Sequence, residues 1–131
     1  MTTRIGTLVV SLLLAAATAA SAQSARTSRL MREKLLHSQR ILAGLTTSDY
    51  ALLQRETLAL TKITESPTWA ELMTAPFRPY AVNFSKALAD LSAASERRDY
   101  DVAGASFTAL TTACLACHKH VMSSRIAARA P

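Results

Sequence analysis

The chain has 131 residues, half of them hydrophobic, and a net charge of +6 at neutral pH. Its basic residues are dispersed and lack interleaved aromatic side chains that would stack on bases, which argues against nucleic acid as a partner. A moderate positive charge instead favours salt-sensitive association with acidic partners or an anionic surface. No carboxylate pair, activated nucleophile or phosphate-binding loop is recognisable in the sequence, so we predict that the protein is not an enzyme.

The N-terminal segment has the layout of a secretory signal peptide. Arg4 gives it a positive start, residues 8–17 are apolar or small, and Ala20-Ser21-Ala22 matches the small-x-small pattern of a cleavage site. We predict a signal peptide at residues 1–22 and export of the remainder, to the periplasm if the source is a bacterium with two membranes. The alternative is a retained anchor, but the apolar run is shorter than the roughly 20 residues that span a bilayer, and no second run follows.

Cleavage after Ala22 would leave residues 23–131 as the mature chain. A chain of this length forms one domain with a single core. Glycine is scarce beyond the signal and alternating β-branched residues are absent, whereas apolar residues recur at helical spacing. The sequence therefore predicts an all-α domain without a further transmembrane span.

Four amphipathic helices are predicted in this domain. The first covers about residues 27–43, with Gly44 as its stop and a core line made of Met31, Leu35, Ser38, Leu42 and Leu45. The second begins at the Thr46–Asp49 cluster and ends at Ser66-Pro67, after which a long connection leads to Pro79. The third runs from Pro79 to about residue 96, and the fourth, capped by Asp99, covers residues 100–127. Their lengths and short connections predict an antiparallel four-helix bundle.

The fourth predicted helix contains Cys114-Leu115-Ala116-Cys117-His118, which is the C-x-x-C-H pattern of covalent haem attachment. On a helix, two thiols three residues apart can each add to one vinyl group of a haem, while the adjacent imidazole coordinates the iron. We predict one haem c, held by Cys114 and Cys117, with His118 as an iron ligand.

Three other interpretations of the cysteine pair are a redox dithiol, a zinc site and a structural disulfide. The disulfide would be strained between residues three apart on a helix. A redox dithiol usually lies where a strand meets a helix N-terminus, which lowers the thiol pKa, whereas this pair lies inside a helix. A zinc site needs four ligands from separated elements, and only His37 and His120 remain to supply a further histidine. His120 is about 200° around the helix from His118, so it points elsewhere.

A C-x-x-C-H motif near the C-terminus of an exported helical bundle resembles the class II c-type cytochromes, the cytochrome c-prime family. The resemblance covers the layout of the whole mature region, but only the five-residue motif is specific. In that family an aromatic and then a basic residue usually follow the histidine, whereas Val121 and Met122 stand here. The resemblance thus implies a divergent member, and it also implies a possible homodimer.

The second axial position of the iron divides the candidate functions. In an antiparallel bundle, the start of the first helix is level with the end of the last, so Met31 is the candidate second ligand. If Met31 does not reach the iron, Leu35 is the candidate residue that covers the open coordination position. Arg32 is a candidate partner of a haem propionate. A filled position favours electron transfer to or from a redox partner protein, and an open one favours binding of nitric oxide or carbon monoxide. A third possibility is a non-catalytic haem subunit of a larger complex.

Overall fold

The computed structural model describes the backbone of residues 2–128 and the side chains of residues 21–128. Side chains of the predicted signal segment up to residue 20 lie outside this described part. The described backbone contains no strand and forms five helices, which confirms the all-α prediction. These helices are α1 (Thr2–Thr46), α2 (Tyr50–Thr64), α3 (Pro67–Leu72), α4 (Arg78–Glu96) and α5 (Tyr100–Ala127).

Helix α1 begins far upstream of the predicted start near residue 27. It continues without interruption through the predicted cleavage point at Ala22, because no proline or glycine in residues 21–30 breaks it. Among the residues that the structure describes, no helix has both the length and the apolar character needed to cross a membrane.

Two short turns of the same construction join α1 to α2 and α4 to α5. Each passes through one residue in the left-handed region, Ser48 (φ 55°) and Arg98 (φ 57°). Each is followed by an aspartate whose carboxylate accepts a hydrogen bond from the new helix: Asp49 from the Leu52 N–H at 2.9 Å, and Asp99 from the Val102 N–H at 3.1 Å. Such N-caps typically contribute about 1 kcal/mol. Both predicted caps are therefore confirmed.

Gly44 does not end the first helix as predicted. α1 continues to Thr46, and the left-handed residue of the turn is Ser48. Gly44 instead permits a close approach of α1 to the start of α2, because a Cβ at this position would lie 3.2 Å from both the Asp49 carbonyl oxygen and the Leu53 nitrogen.

The predicted long connection after Ser66 contains a short additional helix, α3. The Ser66 hydroxyl accepts a hydrogen bond from the Trp69 N–H at 3.2 Å, and Pro67 suits the first position of the helix. α3 packs on α1 and α2 and buries Trp69, which is 7% exposed. Its role is to place this indole in the core.

The core is a single cluster to which all five helices contribute. α4 packs most extensively on α5, and α1 packs most extensively on α2, while α2 and α4 connect these two pairs. α1 and α5 make a much smaller contact with each other. The largest fully buried aliphatic side chains are Ile41, Leu53, Leu60, Leu91 and Leu110.

The predicted core line of α1 is rotated by roughly 70° about the helix axis from the buried line, at 100° per residue. Of its members, Leu45 is buried and Met31 packs partly buried against the core. Leu35 and Leu42, both placed in the core by the prediction, are 59% and 49% exposed. The buried line contains Leu30, Lys34, Ile41 and Leu45 instead. The predicted line left out Lys34 because a charged residue is expected at the surface. This lysine interrupts the apolar repeat of the buried line.

A polar cluster between α1 and α2 surrounds Glu56, whose side chain is only 4% exposed. His37 Nδ1 donates a hydrogen bond to its carboxylate at 2.7 Å, Arg55 Nε donates another at 3.2 Å, and Arg40 forms an ion pair at 3.7 Å. Burial alone would raise the pKa of Glu56, but these hydrogen bonds and charges together outweigh it. The pKa of Glu56 therefore lies below its usual value of 4.5.

We predict that this carboxylate makes folding stability depend on acidity. Because the pKa of Glu56 is lower in the folded state, its contribution is present above the usual value of 4.5 and is lost as the pH falls through the folded value. Urea unfolding at pH 7 and pH 3 should show a larger loss of stability in the wild type than in Glu56→Gln.

The matched control for this prediction is Asp90→Asn. Asp90 pairs with Lys86 at 2.8 Å on the surface of α4, where both side chains are at least half exposed. Exposed pairs of this kind contribute little, so this variant should keep the acid dependence of the wild type. An equal acid dependence in wild type and Glu56→Gln would contradict the role given to the buried carboxylate.

Candidate haem-attachment site

The C-x-x-C-H motif lies in the second half of α5, a helix of 28 residues that begins at the Asp99 cap. Cys114 and Cys117 are both free and half-buried, and Cys114 packs against the core cluster. His118 is exposed. At 100° per residue, Cys117 and His118 lie about 60° and 40° to either side of Cys114, so the three side chains span about 100° of the surface of α5.

Burial raises the pKa of both thiols. For Cys114, the positive charge of Lys34 opposes this effect and the nearby Cys117 thiol adds to it. For Cys117, the charge of Lys34 again opposes the effect of burial. A redox dithiol needs the opposite shift, because its reactive form is the thiolate. The environment of these thiols therefore favours the protonated form over the thiolate, which does not favour the redox-dithiol alternative.

Lys34 on α1 faces this region of α5. Its side chain is nearly buried, and Nζ lies 4.1 Å from the ring centroid of Trp69 and 3.6 Å from that of Phe84. The two rings themselves pack at 5.7 Å between centroids. Burial lowers the pKa of Lys34 to about 8, against an opposing effect of the two thiols. Trp69 of α3 and Phe84 of α4 thus form an aromatic wall, and the Lys34 amine of α1 lies against it.

The sequence did not identify Lys34 as a candidate. A usable signal was present, since Leu30, Lys34, Ile41 and Leu45 fall within about 60° of one another on a helical projection. A lysine in such a line indicates either a side chain that extends to the surface or a buried functional amine.

The other predicted residues of α1 occupy different environments. Met31 is partly buried and packs against the core cluster. Arg32 is exposed, and Leu35 projects into solvent with 59% exposure. In this conformation, Met31 is on the side of α1 that approaches the core, whereas Arg32 and Leu35 are not brought to the cysteines.

The two remaining histidines have their own partners. His37 donates to Glu56, as described above, and its position between α1 and α2 separates it from the motif. The His120 ring packs 5.4 Å from the centroid of Phe77 and 5.2 Å from that of Tyr80. Within the described side chains, no group of three or more His, Cys, Asp or Glu residues is assembled.

An open cleft of about 520 Å³ lies away from the motif, between the first described part of α1 and the end of α2. Arg26, Arg29 and Lys62 give it a basic lining, with Glu33 beside them. It contains neither the cysteines nor His118, so its size does not make it the candidate site.

Comparison with known proteins gives no match for this chain, whether to family models, to curated proteins or to solved structures. The chemistry of the residues described above is therefore the basis for a function.

Proposed function

We propose that this chain is a c-type cytochrome that carries one haem on α5. Cys114 and Cys117 would form the two thioether bonds, and His118 would be the proximal iron ligand. The observation that carries the proposal is that both thiols are free and half-buried, beside an exposed imidazole on the same side of one helix. This donor set fits a haem better than it fits zinc or a redox dithiol.

Within that class, the particular function that we propose is an exported electron carrier of the cytochrome c-prime type. Helices α1, α2, α4 and α5 would form its antiparallel four-helix bundle, and the two three-residue turns support this arrangement because each reverses the chain between packed helices. The predicted signal at residues 1–22 supports a periplasmic or otherwise exported location. The protein would pass electrons to a redox partner and convert no substrate.

The space for the haem would lie between α1 and α5. These helices touch far less than the pairs α4–α5 and α1–α2, so side chains can separate there at a smaller loss of packing. Trp69 and Phe84 provide an apolar wall beside this space. When bound, a haem supplies the one-electron change of its iron.

The chain's own residues have three tasks in this proposal. The thiols of Cys114 and Cys117 would each add across one vinyl group, with sulfur bonding one carbon of the double bond and the thiol hydrogen going to the other. The His118 imidazole would hold the iron. Trp69 and Phe84 would limit the access of water to the site, which is one of the factors that set a reduction potential.

A five-coordinate gas-binding protein is the second candidate. It is favoured by the placement of Met31, the predicted second ligand, whose side chain packs against the core cluster. If Met31 stays there and no other group replaces it, the iron would keep an open side for nitric oxide or carbon monoxide.

Optical spectra of the reduced, matured protein with and without carbon monoxide test the choice. We expect low-spin bands that carbon monoxide leaves unchanged over minutes, because a second ligand from α1 would occupy the coordination position that the gas needs. A high-spin spectrum that shifts at once on adding the gas would contradict the electron-carrier function and favour the gas-binding one. Absence of covalent haem after co-expression with an export and haem-attachment system would contradict both.

A further inference from the structure

Lys34 is a charged residue in a position that the fold assigns to the core. It lies in the buried line of α1 between Leu30 and Ile41, with 9% exposure. Lysine is among the residues least often buried without a partner. Packing of the polypeptide alone therefore does not explain why a lysine occupies this position.

The described residues offer Lys34 little compensation. No ion pair or hydrogen bond of its ammonium group is present among them, and its contacts are the faces of Trp69 and Phe84. Cation–π contacts compensate only part of the loss of hydration. An aliphatic residue would fill the same space without that loss, as Leu30 and Ile41 do on either side.

Lys34 lies where its positive charge acts on the motif. That charge opposes the effect of burial on the pKa of both Cys114 and Cys117. Cys114 also packs against the core cluster that contains Trp69 and Phe84, the two rings that the amine contacts. Thioether bonds to these cysteines would hold a haem between α5, which carries His118, and α1, which carries Lys34.

We propose that the amine of Lys34 is the second axial ligand of the haem iron, opposite His118. This inference rests on the proposed function, and it replaces Met31 as the ligand from α1. Met31 is about 60° away from Lys34 around the helix and already packs in the core, whereas the Lys34 amine lies against the aromatic wall.

Coordination requires the neutral amine, whose lone pair forms the bond to iron while one proton leaves to solvent. The oxidation state of the iron does not change in this step. An amine is also a harder donor than a thioether, so we expect a lower reduction potential than with methionine ligation.

The experiment uses matured holoprotein and two matched leucine variants, Lys34→Leu and Met31→Leu. Covalent haem is first measured by mass spectrometry, which tests attachment independently of the second ligand. The inference predicts that Lys34→Leu becomes high-spin and binds carbon monoxide, whereas Met31→Leu keeps the low-spin wild-type spectrum. It also predicts that ferric wild type lacks the long-wavelength band of methionine ligation and that Lys34→Met acquires it.

Three results would overturn the inference. One is loss of the low-spin spectrum in Met31→Leu but not in Lys34→Leu, which would identify Met31. The second is a five-coordinate wild type with covalent haem, which leaves the attachment proposal intact. The third is absence of covalent haem, which removes the proposed function as well.

A measurement on the wild-type protein tests the ligand even if the variants misfold. Proton NMR of the ferrous wild type should show strongly upfield-shifted methylene signals of one lysine, because a bound amine lies above the haem ring. Upfield signals of a methionine methyl group would overturn the assignment.

Discussion

Replacing both cysteines of the motif, Cys114→Ser and Cys117→Ser, is expected to abolish covalent haem completely. Serine hydroxyls do not form thioethers, and the imidazole of His118 alone would hold haem only by coordination. After co-expression with an export and haem-attachment system, haem staining of a denaturing gel should show a band for the wild type and none for the double variant. Each single variant should keep at most one bond and a weaker band.

The control for this experiment is Ala116→Ser, which introduces the same hydroxyl between the two cysteines at an exposed position. It should attach haem as the wild type does. Circular dichroism should show that the double variant remains helical, because serine is close to cysteine in size. A helical double variant that still carries covalent haem would show that attachment does not use this motif.

Truncating Leu91 to alanine is expected to give a large loss of stability. Leu91 on α4 is completely buried in the cluster that joins all five helices. Removing a leucine side chain from such a site costs about 2–5 kcal/mol, because transfer free energy is lost and a cavity remains. For a small domain this is a large part of the free energy of unfolding, which urea denaturation measures.

Leu58→Ala provides the matched comparison, since Leu58 on α2 is 56% exposed. A surface substitution of this kind usually changes the free energy of unfolding by less than about 0.5 kcal/mol. A Leu91→Ala variant as stable as Leu58→Ala would mean that α4 does not pack on the core as described.

The features that the sequence predicted correctly are determined by neighbouring residues. Asp49 and Asp99 cap helices because a carboxylate three residues from a free N–H is correctly placed whatever surrounds it. The break at Ser66-Pro67 is equally local. The arrangement of the two thiols and His118 along one side of α5 follows from helical geometry alone.

The features that the sequence did not predict depend on tertiary contacts. The face that α1 buries depends on Lys34, which enters the core only because Trp69 and Phe84 come from α3 and α4 to receive it. The role of Gly44 depends on how closely α2 approaches, and the pattern of α1 alone contains no information on that distance. Such contacts between distant segments are not encoded in helical periodicity.

The two similar turns have a consequence for the order of folding. α1 with α2 and α4 with α5 are helical hairpins whose contacts are close in sequence, and such units form quickly because little loop entropy is lost. The candidate site, however, takes Lys34 from the first hairpin and the cysteines from the second. Each hairpin would thus assemble independently, and the complete site would exist only after the two hairpins dock.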